Sequence, residues 1–339
     1  MFRMSLLKKC LVLGAAVAVL AAALAAGGYY WAVNPLTLAQ PQLDVTIKPR
    51  STVRSVTLQL NRGGVPVDPE LFIAMTRVLG LQSELKSGNY EFKTGITPYD
   101  LLQKMVRGDV NEYVATIIEG WSFKRMRAEI DSNPAVRHDT VGMSDAELLA
   151  VIGATETGLT NADGLFFPDT YLFDKDTSDV DIYRRAYKLM KLRLNEAWSA
   201  RAPGLPYKTP YEALIMASLI EKETGKAGDR PLVAAVFDNR LRMGMPLQTD
   251  PTVIYGMGDA YSGHLKKSDL QTDTPYNTYT HTGLPPTPIA LPGAASLQAA
   301  MNPAPSSALY FVSRGDGTSQ FSDTLDDHNK AVDKYIRGQ

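Results

Sequence analysis

Between Leu214 and Thr224 the chain reads LIMASLIEKET, and no charge interrupts it before Glu221. Upstream, Thr209, Pro210 and Glu212 combine an N-cap, a proline at the first helical position and a capping-box acid, so a helix starts there. A helix that is apolar nearly all round has to be buried. This one carries two carboxylates to its end, which is one way to hold a proton donor at neutral pH. At 100° per residue from Met216, Leu219, Ile220 and Glu223 fall within about 60° of it, and Glu221 lies about 160° around the axis from Glu223. The two glutamates therefore cannot share one cleft. Periodicity does not choose between them, and two solvated acids at a fraying helix end remain the plain alternative.

The N-terminus sets a second constraint. Arg3, Lys8 and Lys9 precede Cys10 to Val33, a run of 24 uncharged and mostly apolar residues. As a helix it reaches roughly 36 Å, enough to cross a bilayer core of about 30 Å. The basic residues before it, with no further positive charge until Lys48, place the N-terminus in the cytoplasm and the rest outside. Tyr29, Tyr30 and Trp31 form an aromatic belt at the outer boundary. The alternative is a cleaved signal peptide, since Ala23-Leu24-Ala25 fits the small-residue rule for cleavage. Cys10 precedes the apolar core instead of following it, which argues against a lipoprotein.

With 339 residues, 45% of them hydrophobic, the chain is long enough for two or three small domains with real cores. A formal net charge of −1, dispersed basic residues and no recognisable nucleic-acid motif exclude nucleic acid as an expected partner. The single cysteine precludes an intrachain disulfide, and the four histidines show no helical ligand spacing. Neither a metal nor a cofactor is expected.

From Asn34 to about Leu43, Pro35 and Pro41 mark a stiff tether. An internal repeat follows: VTIKPRSTVRSV (Val45 to Val56) aligns with ATIIEGWSFKRM (Ala115 to Met126) at an offset of 70. Each copy is a β-like run, a turn and the start of a basic amphipathic helix. Asn89 to Phe92 with a helix over Pro98 to Val106 follows the first copy. Asp169 to Phe173 with a helix over Asp181 to Leu194 follows the second. Another helix is expected over Arg230 to Met243, with Leu232, Val233, Val236 and Leu241 as its core stripe and Asn239 and Arg240 near its end, where an arginine can satisfy helix carbonyls. Thr274 to Gly293 holds five prolines, which excludes a long helix and suits an ordered wall beside a groove. Gly256-Met257-Gly258 lacks the strand and third glycine of a dinucleotide loop.

Several segments in this half are rich in groups that bind sugars: LQTDPTVIYGMG (Leu247 to Gly258), TPYNTYTHTGLPPTPIALPG (Thr274 to Gly293) and YFV (Tyr310 to Val312). Their tyrosines offer flat faces, and Gln248, Asn277 and several threonines offer neutral donors and acceptors. Together with EKET, Asn239-Arg240, GLFFPDTY (Gly164 to Tyr171) and HNKAV (His328 to Val332), this order resembles the membrane-bound endolytic murein transglycosylases, the MltG or YceG-like family. The resemblance covers nearly the whole chain.

It implies an α+β protein: a cytoplasmic tail (1–9), a transmembrane helix (10–33), a tether (34–44), a small LysM-like βααβ subdomain (45–110) and a larger mixed α+β catalytic domain (111–339). It also implies an inner-membrane lyase with its catalytic domain in the periplasm. Such an enzyme cuts the MurNAc-GlcNAc bond of nascent peptidoglycan strands, alongside penicillin-binding proteins of the synthesis machinery. Glycosidic cleavage passes through an oxocarbenium-like state and requires a proton on the departing oxygen. In the family, the C6 hydroxyl of N-acetylmuramic acid then attacks the anomeric carbon, giving a 1,6-anhydro end. Matching EKET to the family motif makes the second acid, Glu223, the acid and then the base. Burial beside Met216, Leu219 and Ile220 would keep it protonated. Gln248, Asn277 and Tyr279, with Asn239 and Arg240, are the expected substrate-binding residues. Two alternatives remain open: an inverting muramidase in which Asp250 activates water, against an ordinary turn or cap role for Asp250 before Pro251, and a non-catalytic peptidoglycan-binding scaffold.

Overall fold

The computed structural model describes residues 6–154 and 161–338, with side chains from Leu11 onward. Arg3 and most of the expected cytoplasmic tail lie outside the described residues, as do the side chains of Lys8, Lys9 and Cys10. The chain divides into two compact units, Met1–Tyr113 and Val114–Gln339.

In the first unit, α1 (Leu6–Val33) is a single helix that already includes Lys8 and Lys9. Its Leu11–Val33 stretch is long and apolar enough to cross a membrane, and none of its most apolar window is buried in the protein. After it come β1 (Gln42–Ile47), α2 (Val53–Arg62), α3 (Pro69–Val78), β2 (Gly88–Lys93) and α4 (Pro98–Arg107). β1 and β2 pair antiparallel, with Val45 opposite Tyr90 and Ile47 opposite Gly88. Alternation along β1 turns Val45 and Ile47 inward, where they meet Leu60, Phe72, Phe92 and Leu101 in one core. Trp31 and Leu36 pack against the same core.

The second unit repeats this opening. β3 (Tyr113–Thr116) leads to α5 (Phe123–Asp131), β4 (Val136–Arg137), α6 (Asp145–Ile152), β5 (Thr170–Phe173), β6 (Thr177–Ser178) and α7 (Asp179–Ser199). β3 pairs with β5, and two helices lie between these strands as between β1 and β2. The N-caps keep the offset of 70: Thr52 accepts from Ser55 N at 3.3 Å, and Ser122 from Arg125 N at 3.2 Å. The second copy adds a short parallel contact between β4 and β6. Its last helix runs on to Ser199, just before Arg201-Ala202-Pro203-Gly204.

The rest of this unit is α8 (Pro210–Glu223), α9 (Arg230–Met243), α10 (Asp250–Met257), α11 (Ala294–Met301), the antiparallel hairpin β7 (Tyr310–Ser313) and β8 (Ser319–Ser322), and α12 (Leu325–Val332). Helix α8 begins as its sequence dictates, with Thr209 Oγ1 accepting from Glu212 N at 3.2 Å. The expected capping-box return bond goes one residue further back, because Glu212 accepts from Lys208 N at 2.5 Å. Every residue from Ala213 to Ile220 is buried, and α8 packs against α7, α9, α10 and α11. A helix with no polar face can satisfy that composition only by being surrounded.

Thr274 to Gly293 forms no regular helix and runs as turns and extended backbone. It is ordered by packing: Ile289, Ala290 and Leu291 are buried, and Ile289 N donates to Ser218 Oγ on α8 at 3.0 Å. GLFFPDTY meets this wall at Gly164, whose φ is +79°, and a Cβ added there would lie 2.4 Å from Pro288 Cβ. A side chain at 164 is excluded both by backbone conformation and by space. Gly164→Ala is expected to destabilise the fold by about 2 to 4 kcal/mol, read as a clear fall in thermal midpoint. An unchanged midpoint would show that the wall can move away from the motif.

Candidate active site

The last turn of α8 sends its two glutamates to different surroundings. Glu221 Oε2 accepts from Gly293 N at 2.9 Å, and Oε1 lies 3.8 Å from Arg230 Nη2. Its side chain is only 6% exposed, so this acid is not solvated, and the reading of two free acids at a fraying end fails. Long-range contacts, invisible in the local sequence, hold it. Glu223 is half-buried on the other side, where Thr249 Oγ1 donates to its Oε2 at 2.8 Å.

A cleft of about 370 Å³ opens in front of Glu223. Arg240, Gln248, Asp250 and Tyr279 line it from α9, the start of α10 and the proline-rich wall. Tyr310, Leu325 and His328 close it from β7 and α12. The Tyr310 and His328 rings stack with centroids 5.2 Å apart. A larger hollow of about 550 Å³ lies between α7 and α11, lined by Glu119, Asp169, Arg193, Glu196 and Gln298. Burial and the neighbouring Glu221 push the Glu119 carboxyl up. The Glu223 cleft is the stronger candidate because it joins a half-buried acid to aromatic faces and a neutral amide.

Five of the expected residues reach the cleft: Glu223, Arg240, Gln248, Tyr279 and Asp250. Arg240 does not cap its own helix. Its Nε donates to Leu309 O at 2.7 Å, and Nη1 donates to Leu247 O at 2.9 Å and Gln248 Oε1 at 3.3 Å, tying β7 to the loop before α10. Its guanidinium also sits 5.2 Å from the Tyr310 ring centroid. Gln248 has φ +53°, a left-handed conformation that is strained for a residue with a side chain. Tyr279 donates its hydroxyl to Asp250 Oδ1 at 2.6 Å. Asp250 is thus the first residue of α10 and a fixed acceptor for Tyr279.

Two expected ligand residues lie elsewhere. Asn277 is fully buried; its Nδ2 donates to Leu270 O at 3.1 Å and Thr272 O at 2.7 Å, while Oδ1 accepts from Tyr279 N at 2.9 Å. With both amide groups engaged by backbone, Asn277 shapes the turn that presents Tyr279 and has nothing left for a sugar. Asn239 donates to Ser306 O at 2.9 Å and Ala308 O at 3.0 Å, holding the approach to β7. Conversely, Tyr310, Leu325 and His328 line the cleft and Thr249 bonds its acid, none of them a site residue expected from sequence. YFV and HNKAV give a compositional hint for Tyr310 and His328. Thr249, before Asp250-Pro251, carries no site signal in the sequence.

Among the acids lining the cleft, Glu223 is the one that burial raises. Burial is the main cause that pushes its carboxyl up to about 7, the Thr249 hydroxyl pulls it down, and the Asp250 charge adds to the rise. Tyr279 is pushed up by burial and by its bond to Asp250, so it stays a neutral donor. Burial, with Arg240 nearby, lowers His328 and keeps it uncharged at neutral pH. Among the described residues one group, Asp131, His138 and Asp179, brings possible metal-ligand atoms within 4.8 Å of one another. Its donor set fits a metal poorly, because Asp179 already accepts from Asp139 N, Thr140 N, Thr140 Oγ1 and Val180 N.

Fold and site together define a protein with one half-buried, proton-retaining glutamate in an aromatic and amide-lined cleft. A profile of the YceG-like family matches residues 45–334, and the chain belongs to that family. The endolytic murein transglycosylase of Bacillus subtilis (strain 168) is 33% identical over 309 residues, covering 87% of this chain and 85% of that one. The protein of the same name from Streptococcus pneumoniae serotype 2 (strain D39) is 26% identical across 94% of this chain, and the match spans 64% of that longer relative. The 2.6 Å crystal structure of a YceG-like protein from Listeria monocytogenes superposes with a TM-score of 0.56 at 28% identity, covering 86% of this chain and 98% of that one.

Glu223 links the site to stability. A carboxyl raised from 4.5 to about 7 on folding favours the protonated native state. The folded chain therefore holds one more proton than the unfolded chain between those values, and stability falls as pH rises from 4.5 through 7. Discounted for partial exposure, the loss is on the order of 1 to 2 kcal/mol. Glu223→Gln removes the titration while keeping an acceptor for Thr249. Its thermal midpoint is expected to exceed that of the wild type above about pH 7 by a few degrees, with the gap closing toward about pH 4.5. A constant gap across that range would contradict a buried, titrating Glu223.

Proposed function

We propose that this protein is a membrane-anchored lytic endotransglycosylase that cleaves the MurNAc-GlcNAc β-1,4 bond of nascent peptidoglycan strands and leaves 1,6-anhydro-MurNAc ends. The observation that carries this reading is Glu223, a carboxyl pushed up to about 7 by burial, in a cleft that also presents the uncharged groups of Gln248, Tyr279, Tyr310 and His328. The relatives named endolytic murein transglycosylases support it independently.

In the first step Glu223, protonated, gives its proton to the glycosidic oxygen as the bond to the anomeric carbon breaks. In the second, the ionised Glu223 takes the proton of the substrate's own C6 hydroxyl as that oxygen bonds to the same carbon. A pKa near the working pH suits a group that must do both. No water has to be activated, so no second carboxylate is required. Asp250 is the other carboxylate lining the cleft, and its engagement by Tyr279 favours a role in holding that ring over service in an inverting reaction. A binding scaffold would have no use for a half-buried acid that costs stability at neutral pH.

Gln248 and Tyr279 are the side chains proposed to hold the N-acetyl sugars, and Arg240 fixes the loop that presents Gln248. The strand–helix–helix–strand order of β1, α2, α3 and β2 supports a LysM-like module. With Leu11–Val33 of α1 as the span and Arg3, Lys8 and Lys9 before it in the sequence, the proposed location is the inner membrane with the cleft on the periplasmic side, within reach of penicillin-binding proteins. Anchoring raises the effective concentration of the cleft near new glycan.

Glu223→Gln is expected to reduce anhydro-muropeptide release by about 10² to 10⁴-fold, because an amide can neither give nor take the proton. Glu221→Gln should keep most of the activity, since its amide oxygen can still accept from Gly293 N. Both purified variants are compared with wild type for circular dichroism and for product release by mass spectrometry. Near-normal release by folded Glu223→Gln would overturn the assignment.

A further inference from the structure

Helix α10 opens with a threonine at its N-cap, the position where a hydroxyl normally accepts from an amide of the first turn. Thr249 makes no such bond. Its hydroxyl turns away from the helix and donates to Glu223 Oε2 at 2.8 Å. The side chain has little freedom to do otherwise. Thr249 is 1% exposed, its N donates to Thr278 Oγ1 at 3.1 Å, and its O accepts from Thr252 Oγ1 at 2.8 Å. Thr252 and Thr278, also buried, place their hydroxyl oxygens 2.9 Å apart. A useful helix cap has been given up to hold one carboxyl oxygen, and departures from a local rule of this kind concentrate at functional sites.

We propose that Thr249 is a positioning residue that confines the transferable proton to Oε1 of Glu223. This rests on the reading of Glu223 as the proton donor. A threonine hydroxyl has one proton, and among the described residues the acceptor that Thr249 Oγ1 meets is Glu223 Oε2. With Glu223 protonated on Oε1, Oε2 is a carbonyl-type acceptor and the bond is made. With the proton on Oε2 instead, that oxygen is a hydroxyl and a much poorer acceptor, so the Thr249 bond is weakened or lost in a buried setting, a costly arrangement. Glu223 borders the cleft, and its Oε2 is the oxygen already engaged. Oε1, the oxygen Thr249 leaves without a bond, is on this proposal the one that meets the substrate.

The same bond serves both steps. As the glycosidic bond breaks, its electron pair goes to the leaving oxygen, which takes the proton from Oε1. The carboxylate left behind keeps the Thr249 bond on Oε2, so its basicity is directed through Oε1. When the C6 oxygen bonds to the anomeric carbon, its proton goes to Oε1, and the starting state returns. Because the hydroxyl donates to the charged form, its removal raises the affinity of Glu223 for its proton.

The test uses the full chain in detergent micelles, with initial rates of anhydro-muropeptide release measured from about pH 5 to 9. Activity needs protonated Glu223, so it falls on the alkaline side as that group ionises. Thr249→Val, close in shape but without a donor, is expected to move this alkaline limb up by about one pH unit. It should also lower kcat about tenfold and leave KM within about twofold. Thr249→Ser keeps the donor and should restore the wild-type limb. Thr249→Ala provides a second donor-free variant if valine perturbs folding. Thr252→Val disturbs the same network without touching Glu223, and should lower the thermal midpoint without moving the limb. A limb unmoved in a folded donor-free variant, or moved equally by Thr249→Ser or Thr252→Val, overturns the proposal. Normal activity of Glu223→Gln would instead defeat the underlying reading, whatever the Thr249 variants do.

Discussion

Helix α8 has no hydrophilic side until its final turn, and the second unit is built around that fact. Surrounding Ala213 to Ile220 requires α7, α9, α10 and α11 to pack on different faces of one helix. Each CH₂ removed from water contributes about 0.8 kcal/mol, so this burial is a major source of the unit's stability. The same burial extends to Glu223 at the helix end and raises its pKa to about 7. Stability and acid chemistry thus have one origin. The packing that holds the unit together also disfavours the ionised form of the acid, and the Thr249 hydroxyl moderates that effect.

The start of α10 supplies the complementary surface, and three irregular features meet within consecutive residues. Gln248 has a left-handed backbone, Thr249 is an N-cap residue that caps nothing, and Asp250 takes a tyrosine hydroxyl. Arg240 reaches across from α9 to hold this segment through backbone carbonyls, and Thr278 holds it from the wall. Strain of this kind persists only where surroundings over-determine it. Here they do: Gln248 N donates to Thr278 O at 3.0 Å, and Gln248 Oε1 accepts from Arg240. Rigid support of this sort matters for a small acid cleft, since a proton-transfer geometry tolerates little displacement.

Much of this is legible in the sequence where the signal is local. A cap marks α8 and apolar runs or stripes mark α8, α9 and α1, and the offset of 70 reveals a duplicated strand-and-helix unit whose N-caps, Thr52 and Ser122, keep the register. Helical periodicity also separates Glu221 from Glu223. The rest depends on contacts far apart in the chain. Glu221 reads as a terminal acid because its partner Gly293 N lies 72 residues away. Asn239 and Asn277 read as ligand groups because an amide suits a sugar as well as it suits a backbone carbonyl, and only the folded position decides which it meets. Thr249 gives no signal at all, because no local pattern shows that its hydroxyl turns to a glutamate 26 residues upstream.

In the proposed reaction one glutamate suffices because the substrate supplies its own nucleophile. Cleavage of purified glycan strands in H₂¹⁸O, followed by mass spectrometry of the new chain ends, tests this most directly. The expected ends are 1,6-anhydro and carry no ¹⁸O, since no water enters the bond. Reducing ends labelled with ¹⁸O would mean that water is the nucleophile, and the single-glutamate account would give way to a two-carboxylate hydrolysis.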